Sequence, residues 1–268
     1  MPVLGVIGCG KMAMALLGGL TGSDLAFDKI LVNDIDQSRV NLFMDKYNAH
    51  SADANLLVES CDVIILAVKP AQVNEIITLT SSNWNSSKIL ISIAAGISTV
   101  TIEAGLPAAV PVIRVMPNLP AVIGQGVSAI CPGEHVKENH LTLAKNILNA
   151  IGVCVEVSEK QMDAVTAISG SGPAYIFLVA EAMINAGIHI GLDSKISREL
   201  VVNTIKGSIA MLDEQDIHPA ILRDQVSSPA GTTIAAIRQM EEDGIRKAFF
   251  NGIEKAYLRS IALGKPQK

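Results

Sequence analysis

The strongest constraint on the fold lies in the first 160 residues, where two kinds of segment alternate. In one kind nearly every residue is apolar: Val3–Ile7, Ile30–Val32, Val63–Val68, Ile89–Ile93 and Val110–Val115. A strand with one wet face is apolar at every second position, so unbroken runs of Val, Ile and Leu read as strands covered on both faces of a parallel sheet. In the other kind, Met12–Leu20, Gln37–Tyr47, Asn55–Ser60 and Gln72–Leu79, apolar residues recur at spacings of three and four, the helical period. Strand alternating with helix predicts βαβ units, right-handed crossovers and helices on both faces of the sheet.

After about residue 160 no strand-like run appears. Asp163–Ile168, Ala174–Ile190, Ser197–Leu212, Ala220–Val226, Thr232–Glu242 and Ile245–Leu263 read as helices. Val201, Ile205, Ile209 and Leu212 make one apolar stripe, and Ile234, Ile237 and Met240 another. Several of these helices are apolar around most of their circumference, so this half is expected to bury surface against something else. The polar stretch Ser158–Gln161 marks the boundary between domains 1–160 and 161–268. The longest apolar stretch, Ala174–Leu192, is interrupted by Glu181, Asn185 and His189. A bilayer span wants about 20 predominantly apolar residues, so we expect a buried helix of a soluble protein, with no membrane partner.

Composition excludes several function classes. With 49% hydrophobic and 18% charged residues the chain has ample material for a core and is not disordered. A net charge of −5 argues against nucleic-acid binding, which needs a basic face. Cys9, Cys61, Cys131 and Cys154 form no C-x-x-C pair, so neither a disulfide framework nor a zinc site is expected. The five histidines give no i, i+4 pair, and no metal is assigned. No secretory leader pattern precedes the first strand and no retention or lipidation signal closes the chain, so a cytoplasmic location is expected.

Gly8-Cys9-Gly10-Lys11-Met12-Ala13 fits G-x-G-x-x-A between a strand and a helix. Gly8 permits the tight turn, Gly10 lets a pyrophosphate approach the backbone, and Ala13 allows close packing of helix on strand. The N–H groups at that helix start, around Lys11 and Met12, then face the phosphates of a dinucleotide. Asp34 lies 24 residues after Gly10 at the end of the next strand, where a carboxylate accepts hydrogen bonds from an adenosine ribose. Asp36 fits better as the cap of the following helix. Ala67-Val68-Lys69-Pro70, Ala94-Ala95-Gly96 and Met116-Pro117-Asn118 each follow a strand, at the carboxyl edge where open α/β sheets hold ligands. In the helical half, Ser169–Tyr175 and Ser227–Thr233 gather small and hydroxyl residues at helix starts. Ser171 can cap the first, and the second offers a carboxylate site without any arginine.

Taken together, Ile7–Ala13, Leu66–Pro70, Ser92–Gly96, Arg114–Pro120, Ser169–Tyr175 and Ser227–Thr233 resemble the pyrroline-5-carboxylate reductases from about Val3 to Arg259. The resemblance implies a Rossmann-type sheet followed by an all-α dimerisation domain, and NAD(P)H-dependent reduction of 1-pyrroline-5-carboxylate to L-proline in a homodimer or higher homo-oligomer. It further implies that Gly231, Thr232 and Thr233 hold the substrate carboxylate on their N–H groups with help from Ser228. Thr233 would orient or protonate the ring nitrogen, Asp216 would lie near the substrate, and Ala95, Gly96 and Asn118 near the nicotinamide. Lys11, Leu119 and Ala230 stand where the family usually has Asn, Thr and Gly. Ala54 and Ile35 replace an Asn and an Arg that serve the adenosine end in relatives, which favours NADH over NADPH.

Two other readings share parts of this layout. A β-hydroxyacid-type dehydrogenase needs a lysine about one turn into the first long helix of its second domain. The next lysine after Ser169 is Lys195, beyond that helix. A non-catalytic NAD(P)-binding regulatory module would not need the hydroxyl-rich start at Ser227–Thr233.

Overall fold

The computed structural model describes residues 1–107, 109–215 and 217–264. Its first half runs β1 (Val3–Ile7), α1 (Lys11–Thr21), β2 (Lys29–Asn33), α2 (Gln37–Tyr47), β3 (His50–Ser51), α3 (Ala54–Ser60), β4 (Val63–Leu66), α4 (Pro70–Leu79), β5 (Ile89–Ser92), α5 (Thr99–Ala104), β6 (Val112–Met116), β7 (Gly126–Pro132), α6 (Glu138–Asn149) and β8 (Gly152–Glu156). One eight-stranded sheet results, in the order β3-β2-β1-β4-β5-β6-β7-β8.

The unbroken apolar runs have the cause expected of them. Along β4, Val63 and Ile65 join the core on one face of the sheet while Ile64 and Leu66 join the core on the other. Leu4 and Val6 of β1 belong to the first core and Ile7 to the second. Each such side chain contributes roughly 1.5–3 kcal/mol by leaving water, and alternating them between two buried faces commits the strand to the middle of the molecule.

The sheet departs from the sequence reading in two ways. First, β7 runs antiparallel to β6, so the sheet is mostly rather than wholly parallel. The link between them is only a 3₁₀ turn at Leu119–Ile123, with no crossover helix to return the chain for parallel pairing. Second, β3, β7 and β8 were not anticipated. β8 is an edge strand whose apolar run is only Val153–Val155, with Val153 and Val155 exposed. The helix α6 between β7 and β8 did carry a readable stripe, Leu141, Ala144, Ile147 and Leu148, all buried.

The helical half comprises α7 (Met162–Val165), a π-helical turn at Thr166–Gly170, α8 (Gly172–His189), α9 (Ser194–Gln215), α10 (Pro219–Gln225), α11 (Thr232–Glu242) and α12 (Ile245–Leu263). The chain divides into two compact units, 1–171 with 256–268, and 172–255. Residues just past 160 stay with the sheet because Met162 is fully buried against Ala129 and Cys131. The end of α12 stays there too, its Ser260 Oγ donating to Asp163 Oδ1 at 2.6 Å.

In the second unit α8 and α9 pair through Ser197, which is fully buried and donates to the Ile184 carbonyl at 2.8 Å. The expectation that α8 is buried is corrected: no residue of α8 is buried in the single chain, and Phe177 and Leu178 are 59% and 66% exposed. A helix apolar all round needs cover on every side, and one neighbouring helix supplies it on one side only. By length and composition alone the stretch Glu159–His189 is also apolar enough to cross a membrane.

Candidate functional site

The order of strands fixes where a ligand crevice forms. From β1 the chain moves outward through β2 and β3, then returns to place β4 on the other side of β1. Crossovers leave β1 and β4 in opposite directions, and their carboxyl ends open a cleft of about 470 Å³. Gly8, Gly10, Asp34, Ala67, Val68 and Lys69 all line it. Lys11 and Met12 open α1, and Pro70 opens α4 behind Lys69, in the first-turn position where a missing N–H costs nothing.

The two glycines of the turn have different reasons for being glycine. Gly8 has φ +97°, and a Cβ there would lie 2.5 Å from the Ala67 carbonyl oxygen. The protein itself requires it. A Cβ at Gly10 would meet nothing within 4 Å, so the space above it is left for a ligand. Gly10 is also the cap residue of α1 and supplies no side-chain acceptor, which leaves the first N–H groups of the helix facing that space. An open cradle lined by helix-start donors fits a pyrophosphate.

Asp34 sits at the same edge. Its Oδ2 accepts the Cys9 N–H at 2.6 Å and its Oδ1 the Asp36 N–H at 2.9 Å, leaving further lone pairs on both oxygens for a ribose. Asp36 caps α2 through the Ser38 N–H. The Ser38 hydroxyl, then the Ser38 N–H and the Arg39 charge, hold its carboxyl below the usual range despite some desolvation. Arg39 is thereby engaged, its Nε 3.2 Å from Asp36. Ile35 is 92% exposed beside them. Burial, and then the Asp34 charge, push the Cys9 thiol up to about 12, so it is a packed spacer in the turn and not a nucleophile.

Farther along the edge, Ala95 and Gly96 follow β5 and Asn118 follows β6. Gly96 has φ +77° and lies against the backbone of Leu263 and Gly264. Asn118 is buried with its amide committed: Nδ2 donates to the Ser169 carbonyl at 3.2 Å and Oδ1 accepts the Val127 N–H at 2.9 Å. Sequence reasoning placed Asn118 near the cofactor and missed this tether to Ser169. It also missed Glu159, whose carboxylate accepts from Arg114 Nη1, from the N–H and Oγ1 of Thr99, and from Cys131 Sγ. These partners lie 28 to 60 residues away, and no local spacing announces them.

In the second unit, Ser228, Gly231, Thr232 and Thr233 share the turn that starts α11. Gly231, expected to offer its N–H to a substrate, instead donates it to the Ser228 carbonyl at 3.0 Å. The donors at the helix start are those of Thr232, Thr233 and Ile234, ahead of the Ala235 N–H that bonds to the Gly231 carbonyl. Ala230 has φ +56°, a left-handed conformation that costs a non-glycine residue about 1–2 kcal/mol. Ser171 ends the first unit, its N–H bonded to the Thr166 carbonyl. Asp216 lies outside the described residues. Among the described residues, no group of three or more His, Cys, Asp or Glu is placed to hold a metal.

Comparison with known proteins agrees with both halves. A family model for pyrroline-5-carboxylate reductase dimerisation matches residues 159–263, and one described as NADP oxidoreductase, coenzyme F420-dependent, matches residues 3–96. The chain is 40% identical over 269 residues to the pyrroline-5-carboxylate reductase of Corynebacterium melassecola, covering 99% of this chain and 100% of that one. Among solved structures it is similar to a pyrroline-5-carboxylate reductase from Coxiella burnetii, with TM-score 0.91 and 32% identity over 99% of both chains. It is also similar to the Plasmodium falciparum pyrroline carboxylate reductase with NADP bound, with TM-score 0.88 and 30% identity over 98% of both chains.

The contrast between the two glycines gives a direct test. Gly10→Ala should melt within about 2 °C of the parent, because its methyl meets no protein atom. Its affinity for a dinucleotide should fall at least about tenfold, a loss of about 1.4 kcal/mol. Calorimetric titration beside a thermal melt reads both. Unchanged affinity would remove the pyrophosphate from that cradle.

Proposed function

The chain belongs to the pyrroline-5-carboxylate reductase family, and from that premise we propose how its residues divide the reduction of 1-pyrroline-5-carboxylate to L-proline with NAD(P)H. The observation that carries the division is a pair of helix starts without a side-chain cap, at Gly10 and at Gly231. The first, with Lys11 and Met12, holds the pyrophosphate of the cofactor, and Asp34 its adenosine ribose. Ala67, Val68, Lys69 and Pro70 wall the crevice, and Ala95, Gly96 and Asn118 bound its nicotinamide end. When bound, the reduced nicotinamide supplies the hydride for the C=N carbon.

The second helix start belongs to the substrate. The N–H groups of Thr232 and Thr233 and the Ser228 hydroxyl hold its carboxylate, and Gly231 contributes the shape of the turn. Ser171 and Asp216 complete the substrate set that the family resemblance implies. The Thr233 hydroxyl donates to the ring nitrogen, orienting the imine and supplying the proton that accompanies the hydride. Residues 161–268 thus act as the substrate-binding and dimerisation domain, and 1–160 as the dinucleotide-binding domain. Thr233→Ala should lower kcat/KM by about 10–1000-fold, the range from one lost hydrogen bond to a lost proton donor, with cofactor affinity unchanged. Steady-state kinetics with pyrroline-5-carboxylate measures this, and full activity would remove Thr233 from the mechanism.

The cofactor we assign is NADH in preference to NADPH. Asp34, Asp36 and Glu75 line the cleft against only Arg39 and Lys69, and Ile35 adds no cation. A 2′-phosphate brings about two negative charges to that edge. Two unit charges 4 Å apart repel by about 4 kcal/mol at an effective dielectric of 20. We expect kcat/KM with NADH at least equal to that with NADPH. A value for NADPH more than tenfold higher would mean that Asp34 turns from the ribose.

The cover for α8 we assign to a second copy of the chain. Phe177, Leu178 and Leu200 are exposed on α8 and α9 of the single chain, and obligate interfaces resemble a core cut in half. Four free cysteines suit the reducing cytoplasm. Sedimentation velocity of protein extracted without detergent should give a dimer or a higher multiple at micromolar concentration. A folded monomer, or a need for detergent, would overturn this assignment.

A further inference from the structure

We propose that Glu159 is a positioning residue for hydride transfer: its carboxylate holds the two cofactor-side loops and the segment leading to Ser171 in one fixed arrangement. Glu159 opens the 3₁₀ turn Glu159–Gln161 immediately after β8. Its donors come from three different elements. Thr99 at the start of α5 gives its N–H at 3.2 Å and its hydroxyl at 3.0 Å, both to Oε2. Arg114 of β6 pairs with Oε1 through Nη1, and Cys131 of β7 gives its Sγ–H to Oε2 at 3.6 Å. Thr99 and Arg114 are buried.

The chain positions of these partners give the network its meaning. Thr99 lies three residues beyond Gly96, and Arg114 four residues before Asn118. Glu159 therefore ties the roots of both nicotinamide-side loops to a single carboxylate. Asn118 makes a second tie, to the Ser169 carbonyl, at the far end of the same segment. That second tie falls inside the π-helical turn Thr166–Gly170, a widened backbone that is rare in helices and frequent at functional sites. Pinned at Glu159 and at Ser169, the segment cannot slide along the sheet edge without breaking a charge-assisted pair to a buried guanidinium.

A staple that served stability alone would need no particular destination. These ties converge on Gly96, Asn118 and Ser169–Ser171. Misplacement by about 1 Å costs about a hundredfold in rate when two reactants must be aligned. The inference rests on the assignment of Gly96 and Asn118 to the nicotinamide end.

Glu159→Gln keeps the shape but turns one acceptor into a donor that faces donors. In the full-length enzyme, single-turnover hydride transfer should slow by about 10–100-fold. Cofactor affinity should stay within about twofold. In the cofactor-free protein, amide hydrogen exchange should quicken over residues 96–101 and 116–121. Thr99→Ala removes the hydroxyl donor and leaves the N–H at position 99 and the Arg114 pair in place. It should give a smaller slowing in the same direction and decides the matter if Glu159→Gln does not fold. A lower melting temperature with hydride transfer unchanged in the folded variants would overturn the proposal and leave Glu159 a structural staple. Gly96→Ala keeps the two premises apart: normal cofactor affinity there would refute the nicotinamide assignment itself, whatever Glu159→Gln does.

Discussion

The rest of the structure depends on burial of the central strands from both sides. β1 and β4 bond to neighbours along both edges and send alternate side chains into separate cores. That arrangement leaves a strand free only at its ends. Function is therefore pushed to the carboxyl edge, where β1, β4, β5 and β6 release loops bearing Gly8, Lys69, Gly96 and Asn118. The cleft between β1 and β4 follows from the strand order, since crossovers that leave in opposite directions cannot fill the space between them.

At two helix starts, one in each compact unit, the chain offers backbone donors rather than charged side chains. Gly10 and Gly231 both begin helices without a side-chain cap, so no side chain of the cap residue takes up the first N–H groups. Carboxylates serve mainly to shape the backbone. Asp34 joins the glycine turn to the turn after β2 through two N–H groups, and Glu159 joins α5, β6 and β7. A residue of either kind is described incompletely by asking only which ligand it touches.

Much of this was legible in the sequence, and the boundary of legibility has a physical cause. The runs Val63–Val68 and Ile89–Ile93 announced doubly buried strands, and the glycine turn with Asp34 announced the crevice, because both signals are local in sequence. β8 was missed: Gly152 and Glu156 close its apolar run at Val153–Val155, and as an edge strand it leaves both valines exposed. The antiparallel β7 followed from a short connection whose length carries no sign of strand direction. Glu159 and the amide of Asn118 act through partners tens of residues away, and only folding brings them together. The Gly231 N–H was assigned outward because the motif shows the residue, whereas its bond to the Ser228 carbonyl depends on the turn.

The second unit buries little of its own apolar surface in the single chain. Helices α8 and α9 meet with Ser197 buried against the Ile184 carbonyl, and Phe177, Leu178 and Leu200 stay open to solvent. Such a layer gains little from its own packing and depends on whatever covers it. In that setting the turn before α11 must hold its own shape. Ala230 occupies a left-handed conformation at a cost of about 1–2 kcal/mol, and the Gly231 N–H bonded to Ser228 closes the turn around it. A methyl group at position 230 removes conformations that glycine would keep in the unfolded chain and in a loosened turn. The cost is thus tied to a turn that holds the N–H groups at the start of α11 in one orientation.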